Sequence, residues 1–401
     1  MKICFVVYRE DNVMVFDSQV LEYLSKLTER ADVDEVKLVL FRHQDNLRKK
    51  AEVEDKIKNY ISDYKTFSSI APPLSMLQLN IDAKRLRAYI HKTYAKNEKI
   101  GVICRGDFAT VLAAKAFYNF PNSRILFDNR GLPVEESEMA HPASLLHKIN
   151  RRVKKKSILF AKDHCDMYNF VTCSLRKYDI VKYKYSETIP YTVIPTLCKA
   201  EVIDSGEMKE ISERERYDPQ QYVVSYVGSA AAWQQTSEII QLVKSMDKNY
   251  PNIRYFILTN GDINGLRDLS DDLKSRITVK SVPHREMKYY LKMSNIGIVI
   301  RDKSIVNKVA APTKIAEYLI SGVNILYKGD IGILSDLKEI SKEVRLIHID
   351  EDGNWLKMID SDIRNPQKMI DKHIIQYFDL NNRLNDTLAM INNSFSNRKV
   401  R

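Results

Sequence analysis

Lys314 and Glu317 stand three residues apart in the stretch APTKIAEYLISGVNIL, Ala311 to Leu326. Pro312 opens and Gly322 closes an apolar pattern of helical period, with proline at the first helical position and glycine just past the end. A lysine in the first turn lies against the positive end of the helix dipole. Lys before Glu is also the weaker order for a helical ion pair. Both oddities vanish if an anion sits at the helix N-terminus, where the backbone N–H groups, the dipole and Lys314 would converge on it. Glu317, one turn on, is ionised and only accepts hydrogen bonds, so sugar hydroxyls suit it. Phosphate beside ribose is the chemistry of a nucleotide reader.

Other chemistry-bearing residues fall at the ends of apolar runs. Gly228 and Ser229 follow YVVSYV and begin a small-residue loop that either cradles a phosphate or makes a tight turn. Trp233 in that loop either stacks on a flat ligand or caps the core. Arg301 ends IGIVI and either converges with Lys314 on a diphosphate or joins a surface ion pair. His284 lies at a strand-to-helix junction, as a helix cap or a ligand contact. Earlier in the chain, Asp128 and Arg130 end RILFDN, with Glu135 and Glu136 shortly after. They suit hydroxyl and phosphate recognition, or a structural turn pivoting on Gly131. Arg105 and Asp107 after KIGVIC follow the same logic. Ser18 and Gln19 open a helix, as caps or as acceptor contacts. Asp-x-Asp pairs occur at Asp350–Asp352 and Asp360–Asp362, too late in the chain for a central metal site.

The elements that must position these residues alternate. Apolar β-type runs and helical patterns succeed one another, which predicts parallel sheets with crossover helices, an α/β chain. Six strands are expected in the first half, beginning at KICFVVY, EVKLVLF, KIGVICR, RILFDNR, MYNFVTC and YTVIP. Six more are expected in the second, at YVVSYVG, RYFILTNG, RITVKSV, IGIVIR, VNILYK and EVRLIHI. The charged stretch 198–221 reads as a linker, dividing residues 1–200 from 201–375. A final helical pattern, with 376–401 crossing back to the first domain, completes the organisation. At 401 residues, with 44% apolar and 29% charged residues, the composition is that of a soluble globular protein of two or three domains. The N-terminal apolar run is too short for a signal peptide, and no apolar run reaches the roughly 18–20 residues of a membrane span. Five scattered cysteines without a C-x-x-C pair fit reduced thiols in a cytoplasm. The net charge of +11 favours anionic partners.

The stretch from Ala311 to Leu326 is similar to the P-x-K-x-x-E-Y-x-x-x-G segment of bacterial glycosyltransferase family 4. YVGSAAAWQ and VPHREMKYYLKMSNIGIVIRD precede it in family order. FDSQVLEYL, VICRGDFATVLAAKA and FDNRGLPVEE resemble the family's acceptor-domain segments. The resemblance covers nearly the whole chain. It implies a GT-B fold, two Rossmann-like doubly wound domains facing a central cleft, with a UDP- or GDP-linked sugar held mainly by the second. It also implies transfer with retention and no required metal or cofactor. By motif match, Glu317 contacts the nucleotide ribose, while Pro312, Thr313 and Lys314 lie beside the phosphates or donor sugar. The chain departs from the family at Val309, where many members carry a second glutamate. It departs again at Ser229 and Gln234, where many carry Arg and Lys, which leaves phosphate neutralisation to Arg301 and Lys314.

The expected activity is therefore transfer of a sugar to a saccharide or lipid-diphosphate-linked acceptor in bacterial surface polysaccharide assembly. Arg301, Lys314 and Asp128 carry the chemistry in this reading. Two alternatives are a sugar-nucleotide epimerase or hydrolase on the same fold, and a basic membrane- or RNA-binding protein without catalysis. The run Arg151–Lys156 lies in a helical stretch with Leu145, Leu146, Ile149, Val153 and Leu159 available for an apolar stripe. It is either a solvated face or a site for anionic headgroups on the inner face of the plasma membrane.

Overall fold

The computed structural model describes residues 1–396 except 11–12, 44–46, 70–74, 142, 199–201, 229–235, 262, 264 and 365–369. The chain forms two compact units, Met1–Leu197 with Leu380–Arg401, and Cys198–Asp379.

The first unit is built on a seven-stranded parallel sheet. Its strands are β1 (Lys2–Tyr8), β2 (Glu35–His43), β3 (Tyr64–Ser69), β4 (Ile100–Arg105), β5 (Ser123–Asn129), β6 (Met167–Phe170) and β7 (Tyr191–Val193), in the order β3-β2-β1-β4-β5-β6-β7. All but the first residue of β1 are buried. Helices cover both faces of such a sheet, so its central strands read as continuous apolar runs rather than alternating ones. The alanine-rich Gly106–Ala116 helix packs against β1, β4 and β5, and the Met76–Thr93 and Leu145–His164 helices close over it. On the other side, Leu384, Leu388 and Ile391 of the Leu380–Ser396 helix join the core with Phe5 and Leu24.

The second unit repeats the plan with six parallel strands. These are β8 (Val223–Val227), β9 (Arg254–Leu258), β10 (Ile277–Lys280), β11 (Ile296–Ile300), β12 (Asn324–Lys328) and β13 (Leu346–His348), in the order β10-β9-β8-β11-β12-β13. Each sheet reverses its winding once, at β1/β4 and at β8/β11. Ligands of open α/β sheets bind beyond the strands' carboxyl ends at such points.

Four sequence expectations change. β3 was not expected, because YKTFSS is a half-exposed edge strand with little apolar content. The helix expected to open at Ser18 and Gln19 begins at Val13 and passes through a π-helical turn at Asp17–Leu21. Those two residues are therefore inside the helix and are not its caps. The expected linker carries a helix, Ser205–Arg214, capped by Asp204 and anchored by buried Ile211. The final helical pattern is two helices, Lys372–Phe378 and Leu380–Ser396, because Asp379 takes an extended conformation between them.

Candidate functional site

The Thr313–Ile320 helix is held against the second sheet by Tyr318. This fully buried ring lies on Gly297, the second residue of β11, where a Cβ would fall 2.5 Å from two of its carbons. Its hydroxyl accepts the N–H of Val227 at the end of β8, 2.9 Å away. The helix ends in a paired backbone cap: the N–H of Val323 donates to Tyr318 O and that of Gly322 to Leu319 O, with Gly322 at φ 74°. Pro312 is the residue before the helix rather than its first member, in an extended conformation (φ −60°, ψ 130°). The first turn therefore begins at Thr313, with Lys314 inside it.

Tyr318 follows Lys314 by four residues, so both project from one face. The Lys314 ammonium lies 4.6 Å from the centre of the Tyr226 ring, against the backbone of Gly228. A Cβ on Gly228 would stand 2.7 Å from Lys314 Nζ and 2.8 Å from the Tyr226 hydroxyl, so only glycine leaves room for this lysine. Burial, and secondarily the positive charge of Arg301, hold the Lys314 ammonium down to a pKa of about 7, with Glu317 acting in the opposite sense. Arg301 is itself drawn below its usual range by burial, and its Nε is buried without a hydrogen-bond partner among the described residues. Lys314, buried, and Arg301, partly buried, thus bring two basic side chains near one another by the start of this helix, an arrangement with the chemistry to hold an anion. Glu317, one turn along and 20% exposed, stands 3.8 Å from His284 Nε2. His284 is not the cap of its own helix, since Pro283 precedes that helix without a side-chain bond.

Thus Gly228, His284, Arg301, Pro312, Thr313, Lys314 and Glu317 come together at the carboxyl ends of β8 and β11. Ser229 and Trp233 lie outside the described residues. Val309 is 2% exposed, and the Gly332–Ile340 helix packs against its backbone. A carboxylate at that position would be buried. Its polar neighbours are engaged: Asn307 donates to the Asp302 carboxylate at 2.5 Å, and Lys308 pairs with Asp330 at 3.3 Å. Tyr226 and Tyr318 escaped the sequence reading, because each touches the site across strands distant in the chain. Asp362, of the late Asp-x-Asp pairs, is buried and paired with Arg345.

In the first unit, Gln19, Arg105, Asp128 and Arg130 line one cavity with Asn169 and Thr387. Asp128 is the anion at its centre. Asn169 donates to it at 2.6 Å, while guanidinium nitrogens of Arg130 and Arg105 stand 3.4 and 3.8 Å away. Arg105 also donates to Glu10 at 3.1 Å. The Gln19 amide donates to Leu197 O at 3.0 Å and accepts from Leu197 N at 3.3 Å. The cavity, about 20 Å³, has room for roughly a single water and not for a sugar ring. Burial lowers the Arg130 pKa and Asp128 is the main charge opposing that. The contacts of Asp128 are those of a counter-ion for buried arginines. Asp128→Asn should therefore lower the unfolding free energy in a urea titration by about 3 kcal/mol, the cost of leaving buried charge uncompensated.

The remaining residues of the first unit stand apart from this cavity. Glu135 accepts from the hydroxyls of Tyr178 and Tyr183 at 2.9 and 2.8 Å. Glu136 accepts the Leu132 N–H at 3.2 Å and fills the space over Gly131, where a Cβ would lie 2.6 Å from its carboxylate. Ser18 sits on the π-helical turn, half-buried.

Two doubly wound parallel sheets in one chain, each reversing once, make this a protein of the GT-B glycosyltransferase fold. Its structure is similar to that of a glycosyltransferase from Rickettsia africae, at TM-score 0.64 and 13% identity over 99% of each chain. It is also similar to HepE of Anabaena, solved with UDP, at TM-score 0.63 and 12% identity over 97% of this chain and 100% of that one. Sucrose-phosphate synthase of Thermosynechococcus elongatus matches at TM-score 0.62 and 12% identity, over 99% of this chain and 100% of that one. No protein-family model and no curated protein matches the sequence. At such identities the likeness is one of fold.

Proposed function

We propose that this protein transfers a sugar from a nucleotide-sugar donor to a saccharide or lipid-linked acceptor. The observation that carries the reading is the pair of desolvated cations, Lys314 and Arg301, at the start of the Thr313–Ile320 helix. The donor's diphosphate would lie between them and the helix N-terminus, and its ribose hydroxyls would donate to Glu317. HepE, of the same fold, has been solved with UDP and with UDP-glucose, which supports a uridine diphosphate donor here. In the reaction, the bond from the anomeric carbon to the diphosphate oxygen breaks, and the diphosphate keeps the electron pair. Lys314, Arg301 and the helix dipole stabilise the charge that develops there. The acceptor oxygen bonds to the anomeric carbon on the face just vacated, which retains configuration, and its proton passes to a diphosphate oxygen. Bacterial surface polysaccharide assembly is the setting we assign to it.

Calorimetric titration with UDP, GDP and their sugar conjugates tests this. One base should bind, and Glu317→Ala should weaken that binding about 10- to 100-fold, the worth of charged hydrogen bonds to two hydroxyls, with little change in melting temperature. If no nucleotide or nucleotide sugar binds or raises the melting temperature, the proposal is lost.

A further inference from the structure

The Leu145–His164 helix carries no acidic residue until Asp163, which pairs with Lys162 at 2.5 Å. The neighbouring Met76–Thr93 helix carries one, Asp82, which is buried and bonded to Tyr8 and Arg85. Together they form the outer layer over the Gly106–Ala116 helix, and Ser157 of one approaches the Met76 sulfur of the other at 3.6 Å.

The basic run is divided by the fold. Arg151 donates to the carbonyls of Ser137 and His141 (3.3 and 3.0 Å), and Lys154 to that of Pro133 (3.1 Å). Those two cations hold the preceding helix in place. Val153, Ile158 and Ala161 face the core, so the single apolar stripe expected from the sequence does not exist. Lys148, Arg152, Lys155 and Lys156 are exposed instead, and their spacing puts them on one face. Leucines bracket that face: Leu145 and Leu146 are 72% and 62% exposed at one end, and Leu159 is 37% exposed at the other. The adjoining helix adds Leu77 and Ile81, 68% and 54% exposed, followed by exposed Lys84.

A merely solvated face gains nothing from exposed leucines. Nucleic acid would match the cations but bury no apolar side chain. A bilayer with anionic headgroups matches both, with phosphates for the lysines and an acyl boundary for the leucines. Among the described residues, no helix is long and apolar enough to cross a membrane. We propose that this two-helix face docks the first unit on the surface of an anionic lipid bilayer. The proposal stands independently of the nucleotide reading.

Full-length protein is sedimented with vesicles of phosphatidylcholine alone or with one-third phosphatidylglycerol. It should partition onto the anionic vesicles only, and molar salt should release it. The triple variant Arg152→Gln, Lys155→Gln, Lys156→Gln should lower partitioning about 100-fold, at the usual contribution of a cation near a charged membrane. Leu145→Ser with Leu146→Ser should weaken it at least about tenfold with every charge intact. Both variants should melt as the wild type does and bind nucleotide unchanged, so failure here is distinguishable from failure of the proposed activity. Equal partitioning onto neutral vesicles, or no effect of the charge variant, would overturn the proposal. So would binding to RNA of matched charge without binding to vesicles.

Discussion

Lys314→Met is expected to stabilise the protein while removing its nucleotide affinity. The ammonium of Lys314 is buried, and its pKa falls from 10.5 to about 7. Below pH 7 the folded protein therefore carries the whole cost of a desolvated charge. Between about 7 and 10.5 the unfolded chain holds a proton that the folded one has released, so wild-type stability climbs with pH across that window. At about 1.36 kcal/mol per pH unit the ceiling is roughly 5 kcal/mol. Relaxation around the charge lowers the expected gain in Lys314→Met to about 2–4 kcal/mol at pH 6, shrinking towards zero near pH 10. Paired urea titrations at the two pH values measure it. In the same variant, diphosphate affinity should fall about 100-fold, the loss of a charge-assisted contact. Wild-type affinity should itself decline as pH rises past 7, by up to about tenfold per unit, because binding then requires Lys314 to take up a proton. A variant that is less stable than wild type at pH 6, or binds nucleotide equally well, would refute the assigned role of this lysine.

Gly297→Ala is expected to unfold the second unit's site from behind. Gly297 is the second residue of β11, paired with Ser225 on one side and Ile325 on the other. The added methyl would lie 2.5–2.6 Å from three ring carbons of Tyr318. Neither partner can yield easily. The strand is laced on both edges, and the ring is fully buried with its hydroxyl bonded to Val227 N. Overpacking of this kind costs about 1–3 kcal/mol, and we expect the upper end here. The effect should reach the ligand, because displacing Tyr318 moves the helix whose first turn holds Lys314. Nucleotide binding should therefore fall at temperatures where circular dichroism still reports a folded protein. Tyr318→Phe removes only the hydroxyl and should cost about 1 kcal/mol. Combining Gly297→Ala with Tyr318→Leu should recover part of the loss, since the two positions share one contact.

The glycine at 297 illustrates which parts of this protein its sequence announces. Strands covered on both faces appear as unbroken apolar runs, so ten of the thirteen strands can be placed without reference to packing, and β7 and β13 are signalled by short apolar segments. β3 is the exception, since an edge strand half in water needs no such run. Asp379 could not be recognised as a helix break, because a helical period continues across it and the break depends on which unit each flanking helix packs against.

Within the candidate site, Lys314 and Glu317 are legible because helix termini have a local grammar, and a cation in the first turn violates it. Strand ends likewise flagged Arg301, Arg105, Asp128 and Arg130. What a strand end does not disclose is pairing. Asp128 is matched by Asn169 and two arginines, whereas the Arg301 Nε is buried without a hydrogen-bond partner among the described residues. That difference depends on neighbours contributed by other strands. The same is true of Tyr226 beneath Lys314, Tyr318 on Gly297, and Val309 turned into the core. The sequence by itself determined the alternation of strand and helix and the residues at the turns between them, because periodicity and capping act over a few residues. Only the tertiary structure decided how each charge is paired and how far it is withdrawn from water, because desolvation and pairing are set by groups brought together from distant parts of the chain.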